Sequence, residues 1–350
     1  MLYQTKNPHG GDIYGENITL DYSANINPLG TPTDVLSAMH NALSQVHHYP
    51  DPYCRKLVEA IAAFHGVEKE DVLCGNGAAE LIYGYCEASK PKRAVTLAPT
   101  FLEYTAALLQ VGCVVDQYPL TKQNCFDLDQ SFLAYLGEKK PEVIFLCNPN
   151  NPTGRMIAPT LLKEILSFCK SQNSRLFLDE CFLDFVDNRK SLTDILGEYP
   201  QLFILKAFTK SYALAGVRLG YGLSADHQFL AQMAKAGQPW NVSVLAQAAG
   251  VAALGEEQFL ETTKALLQQE RQWLSNALEG LGFWVCPSLA NYLLFQGPVH
   301  LDTSLKMMGV AIRNCENYYG LGPGWYRIAV RLHAENEKLI QAIEQIIAKE

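Results

Sequence analysis

A mainly parallel α/β sheet covered by helices, with a smaller α+β domain, is the fold class this sequence predicts. Three observations lead to it. Apolar strand-like runs alternate with helical patterns between about Asp71 and Ser224, as in chains whose right-handed crossovers return each strand to one sheet. Helical spacing then dominates from Pro239 to about Gly282, a long segment that would bridge to the smaller domain. The end is mixed: Trp325-Tyr-Arg-Ile-Ala-Val-Arg331 reads as a strand, and Leu339, Ile343 and Ile346 show helical spacing.

Within the alternating region the first run is Val72-Leu-Cys74, ahead of the glycine-rich Gly75-Asn-Gly77-Ala78-Ala79-Glu80, which opens a helix. Val143-Ile-Phe-Leu-Cys147 is a buried strand ending in Asn148-Pro-Asn-Asn151-Pro-Thr-Gly154, where two prolines remove backbone donors and stiffen the loop. Such a loop presents a side-chain amide accurately. Arg175-Leu-Phe-Leu-Asp179-Glu180 is a third strand, and an acid at its carboxyl end is costly to bury unless it meets a cation. Leu202-Phe-Ile-Leu205 is a fourth. Beyond it, Lys206-Ala-Phe-Thr-Lys210-Ser-Tyr-Ala-Leu-Ala-Gly-Val-Arg218 turns through small and hydroxylated residues toward Gly220 and Gly222. Lys210 is therefore expected on a loop at a strand's carboxyl end, where open α/β sheets place their ligands. An amine there becomes nucleophilic toward carbonyls when burial or a second cation, such as Arg218, lowers its pKa.

Bulk properties set limits. Length alone, 350 residues, gives a prior of two or three domains, and there is no internal repeat or low-complexity linker. Apolar residues make up 48% of the chain, yet no run is long enough to span a bilayer. The start, Met1-Leu-Tyr-Gln-Thr-Lys-Asn-Pro8, lacks the apolar core of a signal peptide. The ten cysteines have no paired metal-ligand spacing, and several, such as Cys74 and Cys147, lie inside apolar strands. They read as reduced core residues of a cytoplasmic protein. A net charge of −8 argues against general nucleic-acid binding, so any anion site must be a local concentration of cations.

Taken together and in chain order, these motifs resemble a pyridoxal-phosphate enzyme of the aspartate aminotransferase fold (fold type I). The resemblance covers nearly the whole chain and implies a large cofactor-binding domain, residues 26–260, and a small domain, residues 1–25 and 261–350. It implies pyridoxal 5'-phosphate as cofactor, with Lys210 as the Schiff-base lysine and Asp179 facing the pyridine nitrogen. Asn151 would hydrogen-bond the ring hydroxyl oxygen. Thr209, Arg218 and the helix start at Gly77, Ala78 and Ala79 would hold the phosphate, and Phe101 would stack on the ring. Tyr49, in Tyr49-Pro-Asp-Pro-Tyr53, corresponds to a tyrosine that reaches the neighbouring subunit's cofactor phosphate, which implies a homodimer with shared active sites.

Substrate-positioning residues point to a small phosphorylated amino acid. Arg327, Ala329 and Arg331 fall on one face of the predicted strand, the arginine Cα atoms about 13 Å apart by strand rise. Arg313 is a third arginine. One arginine suffices for an α-carboxylate; more imply a second anion. Histidinol-phosphate aminotransferases and L-threonine-O-3-phosphate decarboxylases of cobamide biosynthesis share nearly every cofactor motif. His9-Gly-Gly, Ser23-Ala-Asn25-Ile-Asn27, Phe101-Leu-Glu-Tyr104, Pro239-Trp240 and the second arginine of Arg327-Ile-Ala-Val-Arg331 resemble the decarboxylases. The resemblance implies that Arg327 binds the carboxylate, that His9, Arg313 and Arg331 gather around the phosphate, and that Asn25 to Asn27 line the cleft. Phe182 stands where aminotransferases commonly carry a tyrosine that hydrogen-bonds the ring oxygen. The expected activity is decarboxylation of phosphothreonine, or of phosphoserine. Histidinol-phosphate:2-oxoglutarate transamination is the alternative, and a pyridoxal-binding protein without turnover is the reading from another class.

Overall fold

Strand registry places three phenylalanines in one row across the middle of the main sheet, and that row shows how the sequence pattern builds the core. Phe145 pairs with Phe177 and Phe177 with Phe203, with ring centroids 4.4 and 5.2 Å apart in stacked geometry. Tyr85 and Tyr104 close over the row from the covering helices, whereas Ile144, Leu146, Leu176, Leu178 and Ile204 alternate to the opposite core. Each stacked pair contributes about 0.5–1.5 kcal/mol beyond its buried area.

The computed structural model describes residues 8–14, 17–188 and 190–348. The main sheet has seven strands in the order Val72–Gly75, Gly220–Leu223, Leu202–Ala207, Arg175–Asp179, Val143–Cys147, Arg93–Ala98 and Val114–Pro119. All run parallel except Gly220–Leu223, which is antiparallel to both neighbours. Its connection to Leu202–Ala207 is spent on the lysine-bearing turn and holds no crossover helix, so the chain returns antiparallel. Helices such as Gly77–Ser89, Leu102–Gln110 and Pro159–Gln172 cover the sheet. Cys147, Asp179 and Ala207 consequently end on one edge, the carboxyl edge where such sheets bind ligands.

A second sheet is wholly antiparallel, in the order Arg313–Asn314, Trp325–Ala329, Tyr292–Gln296 and Trp284–Val285. Its apolar face packs with the helices Glu257–Gly280 and His333–Ile347 around Leu274, Phe295, Ile328, Leu339 and Ile343. Glu257–Gly280, at 24 residues, spans about 36 Å and links the region behind Lys210 to this sheet. Leu20–Asp21 pairs in parallel with Val310–Ala311, and Ala329 N–H donates to the Tyr22 carbonyl at 2.9 Å. No helix among the described residues is long and apolar enough to cross a membrane.

The structure corrects one expectation at the strand that carries two of the predicted arginines. The strand ends at Ala329, not Arg331, and the following helix starts at His333. There the backbone turns to cap the helix: Arg331 N–H donates to Asn336 Oδ1 and Leu332 N–H to Glu335 Oε2. The Arg331 guanidinium follows that turn, donating to the Asp21 carbonyl at 3.1 Å and to Glu335 Oε1 at 2.8 Å. Arg327 donates to the Ser23 carbonyl in the same segment, but Arg331 is held at the Asp21 and Glu335 end of it and does not line the cleft.

Candidate active site

The apolar strand Leu202–Ala207 delivers Lys210 to the carboxyl edge in one helical turn, Phe208–Ser211, where the sequence suggested an open loop. Side chains behind the turn hold it. Asn27 N–H donates to the Lys210 carbonyl at 3.2 Å, and Asn27 Nδ2 donates to the Ser211 carbonyl at 2.8 Å and Thr263 Oγ1 at 2.9 Å. Asn27, expected to line the cleft, thus supports the lysine turn from behind. Ser211 Oγ donates to Asp184 Oδ2 at 2.7 Å, and the same carboxylate pairs with buried Lys206 at 3.2 Å. With its backbone fixed, the Lys210 side chain reaches a cleft of about 230 Å³. Burial foremost, then the positive charges of Arg327 and Arg218, pull its amine down to about 8. A neutral minority, on the order of a tenth, is therefore present at pH 7, far more than for an ordinary lysine, as a carbonyl-attacking amine requires.

One end of the cleft is built for an anion. The helix Gly77–Ser89 begins directly after the strand Val72–Gly75, so unpaired backbone N–H groups at Ala78 and Ala79 open on the cleft beside Thr209 and Arg218. Gly77 has φ +80°, and a Cβ there would stand 2.6 Å from Arg218 Nη2. Only glycine lets this guanidinium lie against the helix start. Arg218 Nη1 is steered by a hydrogen bond to the Ala215 carbonyl at 3.2 Å.

The middle of the cleft suits a flat cationic heterocycle. Asp179 lies buried at the end of its strand, with Oδ2 accepting from Tyr104 Oη at 2.6 Å and Oδ1 from Cys181 N–H at 2.8 Å. Burial raises its pKa while those two bonds oppose the rise. A carboxylate held this way gains from a cation placed before it. Phe101 forms a neighbouring wall, its ring centroid 5.5 Å from Tyr104 and 5.7 Å from His9. The Asn148–Gly154 loop is tied down by Asn150, which donates to the Pro99 carbonyl and accepts from Thr100 Oγ1. That leaves Asn151 facing inward. Phe182 packs edge-on against Tyr292 at 5.0 Å and presents a hydrocarbon surface to the cleft.

The third region gathers cations. Arg327 is buried, donating from Nη1 to Asn151 Oδ1 at 2.5 Å and from Nη2 to the Ser23 carbonyl at 2.9 Å. Arg313, also buried, lies 5.2 Å over the Tyr318 ring and donates to Asn317 Oδ1 and the Pro8 carbonyl. His9 and Asn25 complete this wall. Gly10 allows the approach of the His9 segment, since a Cβ on it would fall 2.2 Å from the Ser23 carbonyl oxygen. Among the described residues Arg327 Nε and Asn25 Oδ1 are buried in the cleft wall with no hydrogen-bond partner, as is Arg331 Nε outside it.

Of the sequence-derived candidates, the cleft brings together Lys210, Ala78, Ala79, Phe101, Asn151, Asp179, Thr209, Arg218, His9, Asn25, Arg313 and Arg327. Gly77 supports it from below. Arg331 stands apart for the reason given above. Tyr49 is 79% exposed and stacks on Trp240, itself 45% exposed, at 4.7 Å, so it is outside the cleft of its own chain. Sequence reasoning passed over Tyr104, Tyr318 and Cys181. Tyr104 could have been found, because helical spacing places it one turn into the helix that Phe101 caps, facing the sheet edge that bears Asp179.

An anion cradle, a buried carboxylate and a lysine with a lowered pKa fit pyridoxal 5'-phosphate, with Thr209, Arg218 and the helix start for its phosphate, Asp179 for its ring nitrogen and Lys210 for its aldehyde. Comparison with known proteins agrees. Residues 17–343 match the family described as aminotransferase class I and II. A threonine-phosphate decarboxylase of Salmonella typhimurium is 36% identical, covering 97% of this chain and 96% of its own. A histidinol-phosphate aminotransferase of Anaeromyxobacter is 34% identical, covering 95% of this chain and 92% of its own. The solved histidinol-phosphate aminotransferase of Clostridium acetobutylicum superposes with a TM-score of 0.88 at 26% identity, covering 95% of this chain and 100% of the other. This chain belongs to the aminotransferase class I and II family, with pyridoxal 5'-phosphate as its cofactor.

Proposed function

We propose that this protein decarboxylates L-threonine O-3-phosphate to the amino-alcohol phosphate, the step that furnishes a cobamide side chain. The observation that carries the reading is the pair of buried arginines, Arg313 and Arg327, lining the same cleft as His9 and Lys210. A substrate with a single anion would leave a buried guanidinium uncompensated, whereas a phosphorylated amino acid supplies a carboxylate and a dianion. The 36% identity to a threonine-phosphate decarboxylase supports the same choice.

When bound, pyridoxal phosphate takes up the electron pair left at the α-carbon after a bond to that atom breaks. The chain's residues choose the bond. Arg327, anchored on Asn151 and Ser23, would fix the carboxylate and hence the orientation of the α-carbon. Arg313 and His9 would take the phosphate, with Asn25 lining the cleft beside them. Asp179 would keep the ring nitrogen protonated, and Lys210 Nζ, released when the substrate amine takes its place, would return a proton to the α-carbon. Phe182 adds no donor to this machinery.

In this reading the enzyme is a cytoplasmic homodimer. The exposed pair Tyr49 and Trp240 would meet the partner subunit, with Tyr49 reaching the partner's cofactor phosphate. The deciding assay offers phosphothreonine and phosphoserine and measures CO₂, alongside histidinol phosphate with 2-oxoglutarate and measurement of glutamate. CO₂ release without glutamate supports the reading. Glutamate without CO₂ replaces it with transamination, a reaction that the 34% relative's name carries.

A further inference from the structure

We propose that Glu103 is a positioning residue for the substrate's phosphate: it holds the His9 ring by Nε2 and so aims the imidazole at the anion. This rests on the reading of the cleft given above. Glu103 lies in the first turn of the helix Leu102–Gln110, and its Oε1 stands 2.6 Å from His9 Nε2. Its other oxygen, Oε2, accepts from Tyr83 Oη at 2.7 Å, so both oxygens are engaged, one by a neighbouring helix and one by the loop that bears His9. The hydrogen bond to His9, first among the causes, with help from Tyr83, keeps this carboxylate below the usual range although burial opposes it. Carboxylates only accept, so Nε2 carries the proton of the Glu103 contact. Any hydrogen bond from the His9 ring to a cleft anion must then use Nδ1.

The segment bearing His9 is clamped on both sides of the ring. Pro8 offers its carbonyl to Arg313 and to Asn317 Nδ2, while Gly11 N–H donates to Ser23 Oγ at 2.8 Å. Phe101 packs against the ring at 5.7 Å. The charged and titratable groups around it thus include Glu103 on one helix, Tyr83 on another and Arg313 on the second sheet. A bare carboxylate near a phosphate dianion would repel it. Interposed behind an imidazole, the same carboxylate instead fixes which ring nitrogen faces the ligand, as second partners do for metal-bound histidines. Glu103 would therefore act on phosphorylated ligands alone, through His9.

A double-mutant cycle on the cofactor-loaded enzyme tests this, with Glu103→Gln, His9→Asn and the combination, each titrated with phosphothreonine, histidinol phosphate and threonine by the cofactor's absorbance. Glu103→Gln is expected to weaken both phosphorylated ligands about tenfold and to leave threonine within twofold. In the His9→Asn background the same change should have little further effect, because contacting residues couple. Glu103→Asp should recover part of the loss, and thermal unfolding of each variant reports whether the fold is kept. Equal weakening of all three ligands, or effects that simply add, would overturn the assignment and mark Glu103 as structural. If the parent binds histidinol phosphate but not phosphothreonine, the decarboxylase reading fails while the Glu103 cycle is still decided with histidinol phosphate.

Discussion

Tyr104 donates its phenolic hydrogen to Oδ2 of Asp179 across 2.6 Å, in a region where both side chains are buried. With the thiol and N–H of Cys181 and the positive charge of Lys206, this bond stabilises the charged form of a carboxylate that burial would otherwise neutralise. A hydrogen bond to a charged group contributes about 1.5–3 kcal/mol.

Tyr104→Phe should therefore lower kcat by roughly tenfold to a hundredfold, because an Asp179 that protonates more readily holds the ring nitrogen's proton less well. Asp179→Asn, which removes the charge altogether, should cost more, by orders of magnitude. Cofactor content should stay near that of the parent in both, since the residues that would hold its phosphate, Ala78, Thr209 and Arg218, are untouched. Turnover and bound cofactor measured on the same preparations decide it; a Tyr104→Phe enzyme with parental kcat would show that Asp179 needs no such support.

Lys210 is the cleft lysine, and its lowered pKa is the property that covalent attachment needs. Purified protein should be yellow, and borohydride reduction followed by peptide mass analysis should place the cofactor on Lys210. Lys210→Ala should abolish both that adduct and turnover. A reduced adduct at any other lysine in the parent protein would remove Lys210 from its role.

The same residues show what was readable in the sequence. Lys210, Asp179 and Asn151 each follow an apolar run that could only be a buried strand, so their place on one sheet edge followed from the alternation of strand and helix. Arg331 stays out of the cleft because its guanidinium is taken by the Asp21 carbonyl and by Glu335 of the following helix, partners that two-residue alternation along the strand does not reveal. Asn27 has the composition of a cleft residue, but its partners Ser211 and Thr263 are distant in sequence, and nothing local announces them. The His9–Glu103 contact spans 94 positions and is similarly a product of the fold.

The lowered Lys210 pKa also makes a prediction about stability without cofactor. The unfolded chain binds this proton up to about 10.5, whereas the folded chain releases it near 8. Between those values the unfolded state holds more protons, so stability rises with pH through the window, and the full penalty is present below pH 8. Lys210→Met removes the penalty. Cofactor-free Lys210→Met should be more stable than the parent at pH 7, by at most about 3 kcal/mol and by less to the extent that cleft water screens the amine. The difference should shrink as pH approaches 10. Urea unfolding of the two apoproteins at pH 7 and 9.5 measures this, and a variant less stable at both would contradict the burial penalty.

The arginines make the sharpest contrast, because sequence and structure disagree about one of them. Arg313 reaches the cleft wall, and Arg313→Ala should raise KM for phosphothreonine by about tenfold to a hundredfold, the loss of one charge-assisted hydrogen bond, with threonine little affected. Arg327→Ala should damage turnover of every amino acid, since it would hold the carboxylate all of them carry. Arg331 instead donates to Asp21 and Glu335 at the start of the helix His333–Ile347. Arg331→Ala should leave KM for phosphothreonine within about threefold and lower stability by roughly 1 kcal/mol, through a partly buried ion pair and its contact with the Tyr22 ring. Steady-state kinetics and thermal unfolding of the three variants separate these roles. A large, phosphate-specific rise in KM for Arg331→Ala would mean that the helix-capping turn rearranges to bring this arginine to the substrate.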